Sequence, residues 1–308
     1  MKIAHYMRLE NSGLAHTTME LVEEEARQGH SVSLRESSTD RLLYGTNGVP
    51  EVQCVHSQLP PSAYHDGIPK FMWCHGEPLG SVGNNISMRA IVDLARLCEA
   101  FICMRQEEWA VWHAIRRTFL VQKGIDLQRF RPLEPPPEKL SGTPAILYYE
   151  NWRGQRNPLY LCLAMQAVRR RFPEARLHLY NCPGGKMGQT FADLIHHCRW
   201  YTFIGSVKGP EADVNLLLNR ADIVVSCLYP LYARGIEAFG AGKAFIGPGY
   251  RERAYPWTCD LNPDSIAQAI IACWEDYGKV NYRKWAEERH DVAETVRQSV
   301  AIYQRYLS

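Results

Sequence analysis

The chain lacks a strong excess of charge of either sign, which argues against several classes of protein. Its 35 lysine and arginine residues nearly balance 33 aspartate and glutamate residues, for a formal net charge of +2. A protein that binds mainly nucleic-acid phosphates usually carries a larger basic excess. Long apolar runs are missing too, since no segment approaches the roughly 18 apolar residues of a membrane span. The sequence predicts no transmembrane helix, and peripheral membrane contact stays open.

The cysteines lack the spacing of metal ligands or of a disulfide framework. There are ten of them, none in a C-x-x-C pair, and most lie inside apolar runs. This pattern argues against a zinc knuckle and favours reduced thiols in the core. The opening MKIAHYMRLENSG reaches a glycine before it could form the apolar centre of a signal peptide. We therefore expect a cytoplasmic protein.

Length and proline content predict two domains. At 308 residues the chain exceeds the size that one hydrophobic core usually supports. The stretch RPLEPPPEKLSGTP can continue neither a helix nor a strand, and it is typical of a linker. We predict an amino-terminal domain over 1–134, a linker over 135–144 and a second domain over 145–290. The segment from Ser265 to the end is predicted as one helical tail, whose last part over 291–308 would pack back toward the first domain.

Strand-like and helix-like segments alternate in both halves of the chain. KIAHYM is followed by a glycine turn, an amphipathic helix and the strand SVSLRE, and the alternation restarts at AILYYE. This order indicates an α/β fold with a parallel, doubly wound sheet in each domain. Such sheets bind ligands beyond the carboxyl ends of their strands. We therefore expect a site in a cleft where those ends face each other.

Three stretches resemble glycosyltransferase family 4, whose members are retaining, nucleotide-sugar-dependent enzymes. VQKGIDLQRFRP resembles the NGVD-x-x-x-F-x-P segment that closes the family's first domain, with Lys123 in place of the usual asparagine. The region from FIGSVKGP to GKAFIG looks like its donor-binding region, and NSGLAHTTMELVEEEARQGH is similar to its first glycine loop and helix. The resemblance implies the GT-B fold, two Rossmann-like domains facing each other across a cleft, and a hexosyltransferase-type activity.

The acidic pair of that family is incomplete in this sequence. The second glutamate of its Glu-x7-Glu pattern matches Glu237, whereas the first falls near Pro230, with one residue deleted. Three explanations stay open. A different group holds the donor sugar, the enzyme uses an unusual donor, or activity has been lost.

The chemistry of a diphosphate leaving group guides the choice of site residues. It gains negative charge as the glycosidic bond breaks, so the protein must aim donors at it. The sequence has no Asp-x-Asp pair to hold magnesium, and we predict arginines and helix N-termini in that role, with no metal and no cofactor beyond the nucleotide sugar. The resemblance places Arg153 and Arg156 on the diphosphate.

The resemblance also implies the remaining contacts. Glu237 would accept the ribose hydroxyls, and His75 would be a polar group near the anomeric carbon. A front-face retaining route lets the leaving phosphate take the acceptor proton, so a general base is not required. The other implied donor-binding residues are Gly13, Val207, Lys208, Arg234, Gly235 and Ile236.

Two further functions are compatible with the same residues: a nucleotide-sugar epimerase and a non-catalytic nucleotide-sugar-binding module. UDP-sugar is the donor we expect, although guanosine and adenosine diphosphates fit the sequence as well. The acceptor is unidentified, and a glycan, a lipid, a small molecule or a modified nucleic acid base would each be possible. The helix with Trp109 and Trp112 could contact a lipid or a base, and burial of the tryptophans explains it equally well.

Overall fold

The computed structural model describes residues 1–8, 12–75, 88–150, 158–180, 201–204, 213–227, 233–248 and 257–307. The described strands are β1 (Lys2–Met7), β2 (Ser31–Glu36), β3 (Leu42–Gly45), β4 (Val52–Val55), β5 (Lys70–Cys74), β6 (Ala100–Cys103), β7 (Thr118–Leu120), β8 (Ala145–Tyr148), β9 (Arg176–Tyr180), β10 (Tyr201–Ile204), β11 (Ile223–Val225), β12 (Ala244–Pro248) and β13 (Trp257–Cys259). The described α-helices are α1 (Ser12–Arg27), α2 (Met88–Leu97), α3 (Gln106–Ile115), α4 (Leu159–Arg171), α5 (Val214–Arg220), α6 (Ala233–Gly240), α7 (Pro263–Glu275), α8 (Tyr282–Arg289) and α9 (Val292–Gln304). These elements form two compact units, residues 1–126 with 289–308 and residues 127–288.

The first unit is built on a seven-stranded sheet in the order β3-β2-β1-β4-β5-β6-β7. Its strands pair in parallel except β3, which runs antiparallel to β2. The strand order reverses between β1 and β4, which makes that pair the topological switch point. One face buries Phe71 and Trp73 against α9, with Leu21 of α1 in the same cluster. The other face packs against α2 and α3.

Local sequence sets the ends of the helices on the first face. Gly29, with φ of +85°, adopts the left-handed conformation that commonly closes a helix, and it follows α1. Asp291 caps α9 by accepting a hydrogen bond from the backbone N–H of Ala293 at 2.9 Å. Helices α1 and α9 pack against each other. The residues that cover this face therefore come from both ends of the chain.

The second unit contains a six-stranded parallel sheet in the order β10-β9-β8-β11-β12-β13. Its order reverses between β8 and β11. The proline-dense stretch is bonded along its length to this unit. The backbone N–H groups of Arg131 and Leu133 donate to the side chains of Asn215 and Asn219, and the Nζ of Lys139 lies 2.8 Å from a carboxylate oxygen of Asp222.

The structure confirms the α/β class and the doubly wound sheet in each half. It differs from the sequence interpretation in the last segment, for which the sequence predicts one helical tail from Ser265 onward. Three helices are present there instead, because Gly278 turns the chain with φ of +84° and Asp291 starts a new helix. All cysteines in the described ranges are buried thiols, and none forms a disulfide with another described residue. Among the described residues, no helix combines the length and the apolar character needed to cross a bilayer.

Candidate functional site

The switch point of the second sheet carries buried polar side chains directly after its strands. Tyr149 and Glu150 follow β8, and Ser226 follows β11. The Ser226 hydroxyl donates to Oε1 of Glu150 at 2.5 Å, which joins the ends of the two strands. Buried polar groups at this edge are unusual for a simple core and typical of a ligand site.

Helix α6 brings a carboxylate and a guanidinium to the same place. The Tyr149 hydroxyl donates to Oε2 of Glu237 at 2.8 Å, and it lies 2.9 Å from the carbonyl oxygen of Arg234. A guanidinium N–H of Arg234 donates to the same Oε2 at 3.1 Å. The guanidinium carbon lies 4.9 Å from the centre of the Tyr149 ring. A single tyrosine therefore fixes the first turn of α6 and its two charged side chains at the end of β8.

The electrostatics of this cluster keep Arg234 charged and Tyr149 neutral. The carboxylate of Glu237 raises the pKa of Arg234 above its ordinary value, so the guanidinium stays protonated. Burial, and after it the charge of Glu237, raises the pKa of Tyr149, so its hydroxyl stays a donor. Glu237 is buried, whereas the Arg234 side chain is 38% exposed. The cation can therefore contact a ligand while the carboxylate holds it in position.

The other residues predicted from the resemblance are distributed as follows. Gly235 and Ile236 lie with Arg234 in the first turn of α6, and the side chain of Ile236 belongs to the core. Only the backbone of Ile236 is therefore suited to a ligand contact. Gly13 lies in the first turn of α1. The predicted contacts that lie outside the described residues are Arg153, Arg156, Val207 and Lys208.

In the first unit, His75 is the residue that follows β5, at the carboxyl edge of that sheet. It is half-buried, and its Nε2 lies 2.8 Å from Nδ1 of His56. Burial, reinforced by the positive charges of Lys123 and Arg105, lowers the pKa of His75 to about 3. The His75 ring is therefore neutral at neutral pH, which suits a hydrogen-bond partner of a sugar hydroxyl.

Sequence reasoning did not single out Tyr149, His5, His56 or Glu25. His5 belongs to an apolar strand, His56 and Tyr149 directly follow one, and Glu25 lies on the buried side of a helix, so none of them forms a motif by itself. For His5 the available signal was a histidine at a strand position whose neighbours two residues away, Ile3 and Met7, are apolar. In this structure such positions lie on the buried face.

The tryptophans of α3 have a packing role. Trp112 is fully buried and meets Phe101 edge to face, with ring centres 5.6 Å apart. The indole N–H of Trp109 donates to the carbonyl oxygen of Thr118 at 2.9 Å. These contacts account for both indoles without a lipid or a base.

Solved structures of similar architecture cover nearly the whole chain, while no protein-family model and no curated protein matches the sequence. Sucrose-phosphate synthase from Thermosynechococcus elongatus is similar with a TM-score of 0.72 and 15% identity over 99% of both chains. A glycosyltransferase from Rickettsia africae is similar with a TM-score of 0.75 and 14% identity over 100% of this chain and 98% of that one. HepE of Anabaena, solved in complex with UDP and glucose, is similar with a TM-score of 0.70 and 14% identity over 99% of both chains. At these identities the similarity shows the fold, and the two doubly wound units have the fold of the GT-B glycosyltransferases.

Proposed function

We propose that this protein is a glycosyltransferase of the GT4 type that transfers a hexose from a nucleoside diphosphate sugar, with UDP as the nucleotide, to an acceptor held by the first unit. Transfer proceeds with retention and without a metal ion, in the cytoplasm. The observation that carries the proposal is the Tyr149–Arg234–Glu237 cluster at the switch point of the second sheet. The complex of HepE with UDP and glucose, a protein of the same fold, supports the choice of nucleotide.

Each group of the cluster has a distinct task in the proposed complex. Tyr149 and Arg234 donate to Oε2 of Glu237 and so fix the position of its carboxylate. The carboxylate, held in this way, accepts hydrogen bonds from the ribose hydroxyls. The guanidinium of Arg234 and the backbone N–H groups in the first turn of α6 face the diphosphate. Helix N-termini and guanidinium groups both stabilise phosphate oxygens. Their fixed positive charge takes the place of a divalent ion as the leaving group departs.

A thermal-shift panel of nucleoside diphosphates and their sugars tests the proposal. Ligand at about 100 times its dissociation constant stabilises a protein by roughly 2.7 kcal/mol. We expect UDP and UDP-sugars to raise the melting temperature, and we expect the same shift in the presence of EDTA. A shift that disappears with EDTA would contradict metal-independent binding, and no shift with any nucleotide would contradict the function itself.

Glu237→Gln tests the assignment of the ribose contact. The amide keeps the shape of the side chain but removes the charge that accepts two hydroxyls, so the UDP-induced shift should be largely lost in a folded protein. Glu275→Gln is the matched control, because Glu275 is half-exposed in the same unit and pairs only with surface Arg171 in the described contacts. An unchanged UDP shift in Glu237→Gln would remove the ribose assignment.

Product analysis separates transfer from the two other functions. An epimerase converts the donor sugar with no acceptor present, and a binding module releases neither sugar nor UDP. We expect free UDP and a glycosylated acceptor, or glucose when water is the acceptor. Retention is read from the anomeric configuration of that product.

A further inference from the structure

Three buried side chains and one half-buried side chain in the first unit form a continuous hydrogen-bonded chain. Oε2 of Glu25 lies 2.7 Å from Nε2 of His5, and Nδ1 of His5 lies 2.8 Å from Nε2 of His56. Nδ1 of His56 then lies 2.8 Å from Nε2 of His75. Consecutive rings have their centres 5.1 Å apart in both pairs. The hydrogen-bonded chain runs from the carboxylate of Glu25, on α1, to the half-buried imidazole of His75 at the carboxyl edge of the sheet.

The strand register explains why these residues meet. β1 and β4 pair with His5 opposite Cys54, and β4 and β5 pair with Cys54 opposite Phe71. Side chains two residues apart share a face, so His56 and His75 lie on the same face as His5. Helix α1 covers this face and contributes Glu25. The chain of rings therefore crosses the β1/β4 switch point and continues to the end of β5.

The carboxylate end gives the chain a direction. An ionised carboxylate only accepts hydrogen bonds, so Nε2 of His5 carries a proton and donates it to Glu25. Nδ1 of His5 then accepts from Nε2 of His56, and Nδ1 of His56 accepts from Nε2 of His75. Each ring is thus neutral with its proton on Nε2. Nδ1 of His75, at the far end, carries a lone pair.

Positive charge is disfavoured on the rings of His56 and His75. Burial, reinforced by His75 and His5, lowers the pKa of His56 well below its ordinary value, and the pKa of His75 is lowered to about 3. Cys54 and Tyr303 face Glu25 from β4 and α9, and burial raises the pKa of both, so neither adds a charge. Within the described residues, Oε1 of Glu25 is buried and has no hydrogen-bond partner. A buried carboxylate with one bonded oxygen is costly unless it has a use.

We propose that Glu25, His5 and His56 form a proton relay that ends at His75 and takes up the proton of the acceptor hydroxyl during sugar transfer. This inference rests on the function proposed above, and in it His75 takes the acceptor proton that the front-face retaining route would otherwise give to the leaving phosphate. Because one proton moves at each link, no ring keeps a positive charge, and the negative charge of Glu25 is neutralised.

The step balances as follows. The acceptor oxygen forms a bond to the anomeric carbon, and the bond from that carbon to the diphosphate oxygen breaks with its electron pair going to the nucleotide. The hydroxyl proton goes to Nδ1 of His75, and the Nε2 proton of His75 goes to His56. The corresponding proton of His56 goes to His5, and that of His5 goes to Glu25. After the nucleotide leaves, the same path returns one proton to water.

Two simpler roles for the cluster make different predictions. A metal site needs lone pairs that converge on one point, whereas these nitrogens point at each other, and the described residues contain no group of three ligands suited to a metal ion. A purely structural network would hold the rings in place without passing a proton. Such a network would be kept by any substitution that preserves the hydrogen bonds.

Glu25→Gln separates the relay from a structural network. The glutamine carbonyl still accepts from Nε2 of His5, but an amide cannot take up the proton. Glu24→Gln is the matched control, because Glu24 is the adjacent buried glutamate of α1 and bonds Gln28 and Arg27 instead. Both variants keep the helix and change one atom.

Nuclear magnetic resonance of labelled imidazole nitrogens gives the first readout. In the wild type and in Glu24→Gln we expect all three rings with the proton on Nε2. On acidification the first proton should move all three to Nδ1 while the Glu25 carboxyl signal reports protonation. In Glu25→Gln the three rings should no longer shift their protons together from Nε2 to Nδ1. A ring that starts with its proton on Nδ1, or an imidazolium on His75 as the first event in the wild type, would overturn the relay.

Turnover gives the second readout, with UDP-glucose as donor and water as acceptor. General acid–base catalysis contributes about 10²–10⁴-fold, so kcat of Glu25→Gln should fall by at least about 100-fold with KM unchanged. Equal turnover in Glu25→Gln and the wild type would overturn the relay and leave glycosyl transfer intact. No turnover and no UDP binding in the wild type would instead remove the proposed function.

Discussion

Tyr149 joins the end of β8 to helix α6 through one hydroxyl group. That hydroxyl donates to a buried carboxylate, and hydrogen bonds to charged groups contribute about 1.5–3 kcal/mol to stability. In Tyr149→Phe the ring beneath Arg234 remains, but Glu237 is held by the guanidinium alone. We expect a loss of roughly 1–3 kcal/mol in the free energy of unfolding and a roughly tenfold weaker affinity for UDP.

Urea unfolding and titration calorimetry measure these two quantities for Tyr149→Phe. Tyr160→Phe is the control, because Tyr160 is 47% exposed on α4 of the same unit. An affinity for UDP equal to that of the wild type, together with lower stability, would mean that Tyr149 supports the fold and does not position the donor contacts.

Single residues differ in how far the sequence reveals them. Glu237 and Arg234 were found because they belong to a local string that resembles a donor-binding region. Tyr149 contacts both from 85 or more positions earlier in the chain, and a local pattern does not contain a contact of that range. The pairing of His56 with His75 depends on strand register, and that of Glu25 with His5 depends on how α1 packs on β1, so a local pattern contains neither.

Helix α9 contacts the loop that follows β7 at Gly124, in the segment KGID. A Cβ atom at this position would lie 2.5 Å from the backbone N and Cα of Val292, the first residue of α9. Backbone cannot rotate away as a side chain can, so Gly124→Ala must displace the start of the helix. Overpacking of this kind costs typically about 1–3 kcal/mol.

Chemical denaturation of Gly124→Ala, followed by intrinsic tryptophan fluorescence, measures that cost. Gly48→Ala is the matched control, since nothing lies within 4 Å of a Cβ at that exposed glycine. It should be neutral or slightly stabilising because it restricts the unfolded chain. Equal stability of the two variants would show that α9 accommodates the methyl group by moving.

Helices and strands were predictable where the spacing of apolar residues and the residues that end the element indicated the same segment. β1, α1 and β2 form where the strand-like segments, the glycine turn and the amphipathic spacing indicate them. β3 was missed because LLYG is short and runs antiparallel at the edge of an otherwise parallel sheet. The helices after β13 were merged into one because their apolar spacing continues across Gly278, although the backbone turns there.

The division of the chain follows contacts that composition does not reveal. The proline-dense stretch has the composition of a free linker, yet its backbone donates to Asn215 and Asn219, so residues 127–144 belong to the second unit. The final helix returns to the first unit because its apolar residues fill a face that α1 leaves partly uncovered. Sequence periodicity identifies an apolar face but not the surface that receives it.

The two units should respond differently to mild acid. His56 and His75 have pKa values lowered by burial, and both lie in the first unit, whereas His178 is the described histidine of the second unit with a lowered pKa. A histidine whose folded pKa is depressed contributes stability above its unfolded value of about 6.5. That stability is lost as the pH falls from the pKa of the unfolded histidine to its pKa in the folded protein, which is about 3 for His75. Between about pH 7 and pH 5 the carboxylates stay ionised in the unfolded chain, so the histidines dominate the change.

Hydrogen exchange resolved along the chain measures this difference. After correction for intrinsic rates, amides of β1, β4 and β5 should lose more protection between about pH 7 and pH 5 than amides of β8 and β11. UDP should protect β8 and α6 at both pH values, because its contacts lie at Glu237 and Arg234. In His56→Gln the pH-dependent loss in the first unit should become smaller, since one buried imidazole no longer resists protonation. Equal loss of protection in the two units would mean that the buried histidines are protonated without cost, which contradicts the neutral rings on which the relay depends.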